Sequence, residues 1–248
     1  MISRTSGGYA SHRERGPQDR RLRRFVTTLL LLIVGYFTIH TIFLQTIVQE
    51  AETMLPTLVP RDRLMMSPIL YGPRVRAFNW ILPGFSEPRR GDIVAIRPGF
   101  MDEPSAIRRL LNPVVRFGTG ENARLDDGAR WRSSHQIRRI IGLPGDTVKM
   151  ERFVVYVRPA DEHRFISETE LTESPYATTV IGLPEGWRGD DPFGDAMDEM
   201  VLGPDEYFVI GDNRVLSLDS RHWGPITRDY IHGRIIFRYW PLRRAGSP

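Results

Sequence analysis

From Phe25 to Gln49 the chain carries no Asp, Glu, Lys or Arg, and the run FVTTLLLLIVGYFTIHTIFLQTIV is dense in Leu, Ile, Val and Phe. As a helix over 25–48 it measures roughly 36 Å at about 1.5 Å per residue, enough for a hydrocarbon core of about 30 Å. The pattern predicts a transmembrane helix. A buried core helix seldom runs so far without a charge, and a cleaved leader has a shorter apolar stretch followed by a small-residue cleavage site, which is not found here. His40, Gln45 and the threonines are tolerated because a helix satisfies its own backbone.

Beyond residue 50 the hydrophobic runs are short and bounded by Gly, Pro, Asp and Asn: DIVAIRP (92–98), IRRIIGLPGDTV (137–148), RFVVYVRP (152–159), EYFVIGDN (206–213) and GRIIFRYWP (233–241). Alternation with period two and β-branched or aromatic residues predict strands joined by tight turns. One short helix candidate, 105–117, is interrupted by Pro113. The fold class expected is mainly β, with a single N-terminal transmembrane helix. The organisation read from the pattern is a basic arm over 1–24, the membrane helix over 25–48 and an outer β domain over 49–248. Two polar stretches, about 99–134 and 160–205, look inserted between strands. The second is acidic and Pro/Gly-rich, which predicts a solvated loop or small subdomain. Phe78, Trp80, Ile81 and Leu82 form a further apolar group, read as ordinary core or loop packing or, alternatively, as a contact with the membrane interface.

Charge changes the picture in two ways. The net charge is +4, but seven arginines lie within residues 1–24, and the remainder of the chain is close to neutral. The chain therefore offers no basic groove for nucleic acid. Positive flanks stay on the cytoplasmic side, so the N-terminus is expected inside and the β domain outside a plasma (inner) membrane crossed once. The absence of cysteine excludes disulfides, thiolate metal sites and a cysteine nucleophile. No metal-binding or phosphate-loop motif is found, so no cofactor is expected.

Four segments then follow in a fixed order after the apolar run: Thr-Met-Leu-Pro-Thr-Leu (53–58) with Arg-Asp-Arg-Leu (61–64), Arg-Gly-Asp-Ile-Val (90–94), Arg-Arg-Ile-Ile-Gly-Leu-Pro-Gly-Asp (138–146), and Gly-Asp-Asn-Arg-x-x-Ser-x-Asp-Ser-Arg-x-Trp-Gly (211–224). Together they resemble the bacterial type I signal peptidases, over most of residues 25–240. The resemblance implies a β-rich barrel-like domain, membrane lipid as a partner, and signal peptides of exported preproteins bound as extended strands. It implies a nucleophile at Thr53, a general base at Arg138 and a base-orienting hydroxyl at Ser217. Met54, Pro56, Ile140 and Ile141 fall at substrate-binding positions. Arg139, Asp146, Gly211, Asp212, Asn213, Asp219, Ser220 and Arg221 belong to the structural motifs.

The chain departs from that pattern where the chemistry lies. The family has Ser at 53 and Lys at 138. Thr53 keeps a hydroxyl but adds a methyl that stiffens χ1. Arg138 is the larger change. A buried Lys loses about 3–5 pKa units from about 10.4 and becomes a usable base near neutral pH. An Arg starts at about 12.5–13.8, and neutralising it at pH 7 costs roughly 7–9 kcal/mol. That outweighs the 10²–10⁴-fold (about 3–5 kcal/mol) that general-base catalysis typically supplies. Ala51 also stands where many members carry a Ser that donates to the oxyanion, and losing such a donor costs about 10²–10³ in rate. The chain has a single lysine, Lys149, against 33 arginines, so drift towards Arg accounts for an unconstrained position 138.

The expected function is that of a signal peptidase homologue with little or no normal cleavage, holding signal peptides or other extended segments or assisting an active paralogue. Two alternatives stand beside it. One is an active enzyme using Thr53 with another base, among His135, Lys149 and His222, although strand geometry turns His135 away from Arg138. The other is a membrane-anchored β domain that binds an unrelated partner through its acidic insert.

Overall fold

The β-branched and aromatic runs pair as antiparallel strands, and their alternate residues divide among three hydrophobic clusters. The structure, a computed structural model, describes residues 17–72, 74–75, 80–81, 84–97, 135–180 and 194–248. It divides into two units, Met1–His40 and Thr41–Pro248.

The first unit contains most of helix α1, Pro17–Ile42. Pro17 opens it, where a fixed φ and a missing N–H cost nothing. The helix thus starts and ends earlier than the 25–48 expected. Residues 45–48 are instead strand β1 (Gln45–Val48), because their backbone pairs with β2 (Arg63–Ser67) from Gln45↔Met66 to Val48↔Arg63 and buries Ile47. Among the described residues no helix is long and apolar enough to cross a membrane. The side chains at 34 and 36–42 lie outside the description, and those described in the apolar stretch are exposed, from Phe25 to Ile33.

In the second unit the remaining strands are β3 (Arg74–Val75), β4 (Trp80–Ile81), β5 (Ile93–Ile96), β6 (Gln136–Gly142), β7 (Thr147–Glu151), β8 (Val154–Arg158), β9 (Ile166–Ser167), β10 (Met197–Val201), β11 (Glu206–Ile210), β12 (Ile226–Thr227) and β13 (Ile231–Trp240). A seven-stranded sheet runs β1-β2-β13-β5-β6-β11-β12, a four-stranded sheet runs β10-β7-β8-β9, and β3 pairs with β4. The mainly β expectation is met. The chain passes from the large sheet to the smaller one through the turn 142–146, where Gly145 takes a φ of 83° and the Asp146 carboxylate accepts from the Leu143 N–H at 2.6 Å. Arg90 pairs with the same carboxylate and fixes the turn against the β4–β5 connection.

The cores follow this division. Ile47, Met54, Leu58, Leu64 and Ile137 form one cluster; Val94, Ile96, Ile140 and Val209 a second; Ile141, Val148, Val157, Phe208 and Ile210 a third, beneath the small sheet. The C-terminal end of β13 fastens the segment after β1. Arg238 donates to the Thr57 carbonyl at 2.9 Å, and Arg238 and Arg244 both reach the fully buried Asp62.

The expected insertion over 99–134 lies outside the described residues, as do Phe78 and Leu82, and of Trp80 and Ile81 only the backbone is described. Of the expected insertion over 160–205, residues 160–180 and 194–205 are described. Its described ends are integral to the domain: β9, the short helix α2 (Glu168–Leu171) and β10 pack on or pair with the small sheet. The reason is electrostatic. Arg214 is 0% exposed and needs a carboxylate, which Glu168, 2% exposed, supplies at 2.7 Å. Glu168 also accepts from the Tyr176 hydroxyl at 2.5 Å and the Val155 N–H at 3.2 Å. Breaking a buried pair by removing one partner typically costs about 3–5 kcal/mol. Glu168→Ala is therefore expected to lower the thermal midpoint of the full chain sharply, and Glu168→Leu combined with Arg214→Met to recover part of the loss. Unchanged melting of the single variant contradicts this account of the core.

Candidate active site

Three segments meet at residue 53. The first is the 3₁₀ turn Glu52–Met54, anchored by the buried Met54 and by the Leu58 N–H bonding to the Met54 carbonyl at 2.8 Å. The second is β6, which carries Arg138 and Arg139. The third is 211–221, which ends in the short helix α3 (Ser220–Trp223). Asn213 N–H donates to the Thr53 carbonyl at 3.0 Å. Gly211 lies so close that a Cβ there would sit 2.3 Å from Ser217 Oγ and 2.5 Å from the Thr53 carbonyl oxygen. This close approach explains glycine at 211.

Arg138 is 3% exposed and extends to the Thr53 hydroxyl, with Nη1 3.2 Å from Oγ1. Its other donors go to the Ile137 carbonyl (2.6 Å), the Gln136 side-chain oxygen (3.1 Å) and the Leu218 carbonyl, reached by both Nε (3.1 Å) and Nη2 (2.7 Å). All five N–H groups are thereby engaged. Gln49 Nε2 approaches the same Thr53 oxygen at 3.4 Å and the Ala51 carbonyl at 2.5 Å. The half-buried Thr53 hydroxyl thus receives two donors, and its own proton has no acceptor among the described residues.

This convergence of segments 53–58, 138–146 and 211–224 agrees with the comparisons to known proteins. The family described as signal peptidase, peptidase S26, matches residues 22–240. The chain belongs to the signal peptidase family. It is 27% identical to signal peptidase I of Leptolyngbya laminosa over 92% of its length and 85% of that protein's. Signal peptidase I P of Bacillus subtilis subsp. natto is 35% identical over 54% of this chain and 68% of its own. A crystal structure of a signal peptidase I from Enterococcus faecalis V583 aligns with 60% of this chain and 97% of its own, at 21% identity and a TM-score of 0.26. The activity of the family is the removal of signal peptides.

The charge of Arg138 is set by its burial and by two charged neighbours. Burial pushes the Arg138 guanidinium down to about 10; the Asp219 charge opposes that shift and the Arg221 charge adds to it. Three units still separate it from neutral pH. About one molecule in a thousand is then neutral at pH 7, a cost of about 4 kcal/mol. This is less than the bare sequence implies, because burial does part of the work. It is comparable with the roughly 10²–10⁴-fold (about 3–5 kcal/mol) that a general base contributes. In the hydrogen bond at Thr53 the guanidinium is the donor.

The other expected site residues are placed as follows. Ser217 is 0% exposed, and its hydroxyl has no hydrogen-bond partner among the described residues; the neighbouring Leu218 carbonyl, not Ser217, holds Arg138. Met54, Ile140 and Ile141 are buried in the three cores, while Pro56 is exposed. The charged motif residues form two separate pairs. Arg139 grips Asp212 through Nε (2.9 Å) and Nη2 (2.7 Å) and lies 3.9 Å over the Tyr176 ring. Arg221 grips Asp219 through Nε (2.8 Å) and Nη2 (2.9 Å). Ser220 Oγ accepts from the Val209 N–H at 3.0 Å. Among the other bases considered, Lys149 is paired with Glu151 at 2.8 Å on β7, His135 stacks edge-on with His232, and the His222 Nδ1 accepts from the Asp219 N–H at 3.4 Å in a capping box.

Sequence reasoning missed Gln49, Leu218, Thr57 and Tyr176. Leu218 acts through its carbonyl, which no side-chain pattern announces. Thr57, within the quoted 53–58 segment, donates to Asp212 at 2.5 Å, and the spacing of that segment was the signal that could have found it.

Asp219 is fully buried. Burial raises its carboxyl, but the Arg221 pair, the Arg138 charge and the Gly211 N–H outweigh this and hold it below its ordinary value. A carboxyl lowered on folding contributes stability that is complete above its unfolded value, about 4, and is lost as pH falls through the native value. Thermal midpoints measured between about pH 3 and pH 7 are thus expected to fall less steeply with acid in Asp219→Asn than in wild type. Identical acid slopes contradict the pairing.

Proposed function

We propose that this chain is a membrane-anchored member of the signal peptidase family that holds signal peptides, or other extended segments of exported preproteins, without cutting them by Ser/Lys chemistry. One observation carries the reading: the residue at the base position is a buried cation that donates to the hydroxyl it ought to deprotonate. Acyl transfer needs a lone pair on the nucleophile and an acceptor for its proton. Here both Arg138 and Gln49 direct donors at the Thr53 oxygen. Cutting is left to an active paralogue.

The anchor is α1. Phe25, Val26 and Leu29 to Ile33 are all exposed along it, an apolar surface that water disfavours and lipid accepts. Seven arginines precede the charge-free stretch, a charge bias that favours the N-terminus on the cytoplasmic side and the β domain outside.

The test is a preprotein assay with purified full-length chain in detergent. Wild type is expected to leave the preprotein intact. Thr53→Ser combined with Arg138→Lys is expected to restore single-site cleavage, at least about 100-fold above wild type. Single-site processing by wild type that Thr53→Ala abolishes overturns the proposal.

A further inference from the structure

We infer that the Thr53–Arg138 site receives the C-terminal carboxylate of a peptide, the end that a cleaved signal peptide carries, in preference to an internal peptide bond. This rests on the reading above, that the chain binds without cutting, and names the ligand of that same site.

The first argument is charge. Three buried arginines beside the site each have their own carboxylate: Arg139 has Asp212, Arg214 has Glu168 and Arg221 has Asp219. Arg138 has none among the described residues. Its donors meet neutral oxygens, and the Asp219 charge that acts on it is already gripped by Arg221, so among the described residues two buried guanidiniums share one carboxylate and an anion is attracted.

The second argument is access. Of the five hydrogen bonds made by Arg138, the one to Thr53 is the longest, and Thr53 is half-buried. A carboxylate replacing the Thr53 oxygen there takes the Nη1 donor and, at its other lone pairs, the Thr53 hydroxyl proton, which has no acceptor among the described residues. Charge-assisted bonds of this kind are about twice as strong as neutral ones. The carbonyl of an internal peptide bond can accept the same hydrogen bonds but compensates no charge.

The third is an orphan group. Ser217 Oγ is buried without a hydrogen-bond partner among the described residues, and it packs on Gly211 beside the Thr53 carbonyl. It adds a buried hydroxyl with unused capacity next to Gly211 and the Thr53 backbone. Leu216 and Leu218 on either side of it are exposed and offer apolar surface to the residues preceding the carboxylate. Glu50 and Glu52 oppose the ligand, but both are exposed, and exposed charges are screened far more than the buried guanidinium.

The experiment is fluorescence anisotropy with full-length protein in detergent and a labelled signal peptide ending in alanine, made as the free acid and as the C-terminal amide. The acid is expected to bind at least about tenfold more tightly than the amide. Arg138→Gln is expected to reduce that ratio to near one. Thr53→Val, which replaces the hydroxyl with a methyl group of similar size, is expected to narrow it severalfold and covers the case in which the Arg138 variant fails to fold. Acetate is expected to compete only weakly. Equal affinity for acid and amide in wild type overturns the inference, and complete displacement by acetate at peptide-like concentrations overturns its peptide component. Cleavage of an intact preprotein by the same preparation would instead sink the non-cutting reading, so the two failures are distinguishable.

Discussion

A guanidinium 3.2 Å from the Thr53 hydroxyl, donating rather than accepting, governs how the rest of this domain is understood. Arginine and lysine differ little in length and charge, but only lysine can be dried into a neutral base at physiological pH. Burial here lowers Arg138 to about 10 and then runs out of leverage, because Asp219 nearby favours the charged form. At neutral pH the scaffold therefore holds a cation at position 138.

That scaffold is otherwise well made. Asp212 is gripped by Arg139 and Thr57, Asp219 by Arg221 and Gly211, and Glu168 by Arg214 and Tyr176. The Asp212 contacts tie the 53–58, 138–146 and 211–224 segments to one another, and the other two carboxylates brace the loop after β11. Beside an arginine held by the Leu218 carbonyl, the Ser217 hydroxyl has no bond partner among the described residues.

Much of this was legible in the residues. Alternating β-branched runs gave the strands, Gly and Asp marked the 142–146 turn, and the ordered motifs brought Thr53 and Arg138 together across 85 positions of sequence. The helix boundary was not legible. Gln45–Val48 is as apolar as the helix before it, and only pairing with β2 makes it a strand. Glu168 was hidden for the opposite reason: an acidic, proline-containing stretch reads as solvated, and its burial depends on an arginine 46 residues away. Gln49 and the Leu218 carbonyl escaped because contacts made by backbone oxygens and single amides leave no periodic trace.

The central claim is a protonation state, and it is most directly measured by carbon-13 NMR of the arginine Cζ atoms in the labelled full-length protein, with the Arg138 signal assigned by its loss in Arg138→Lys. The account predicts that this signal keeps the guanidinium shift throughout the neutral range and begins to titrate only near pH 10. A neutral Arg138 at pH 7 would contradict it.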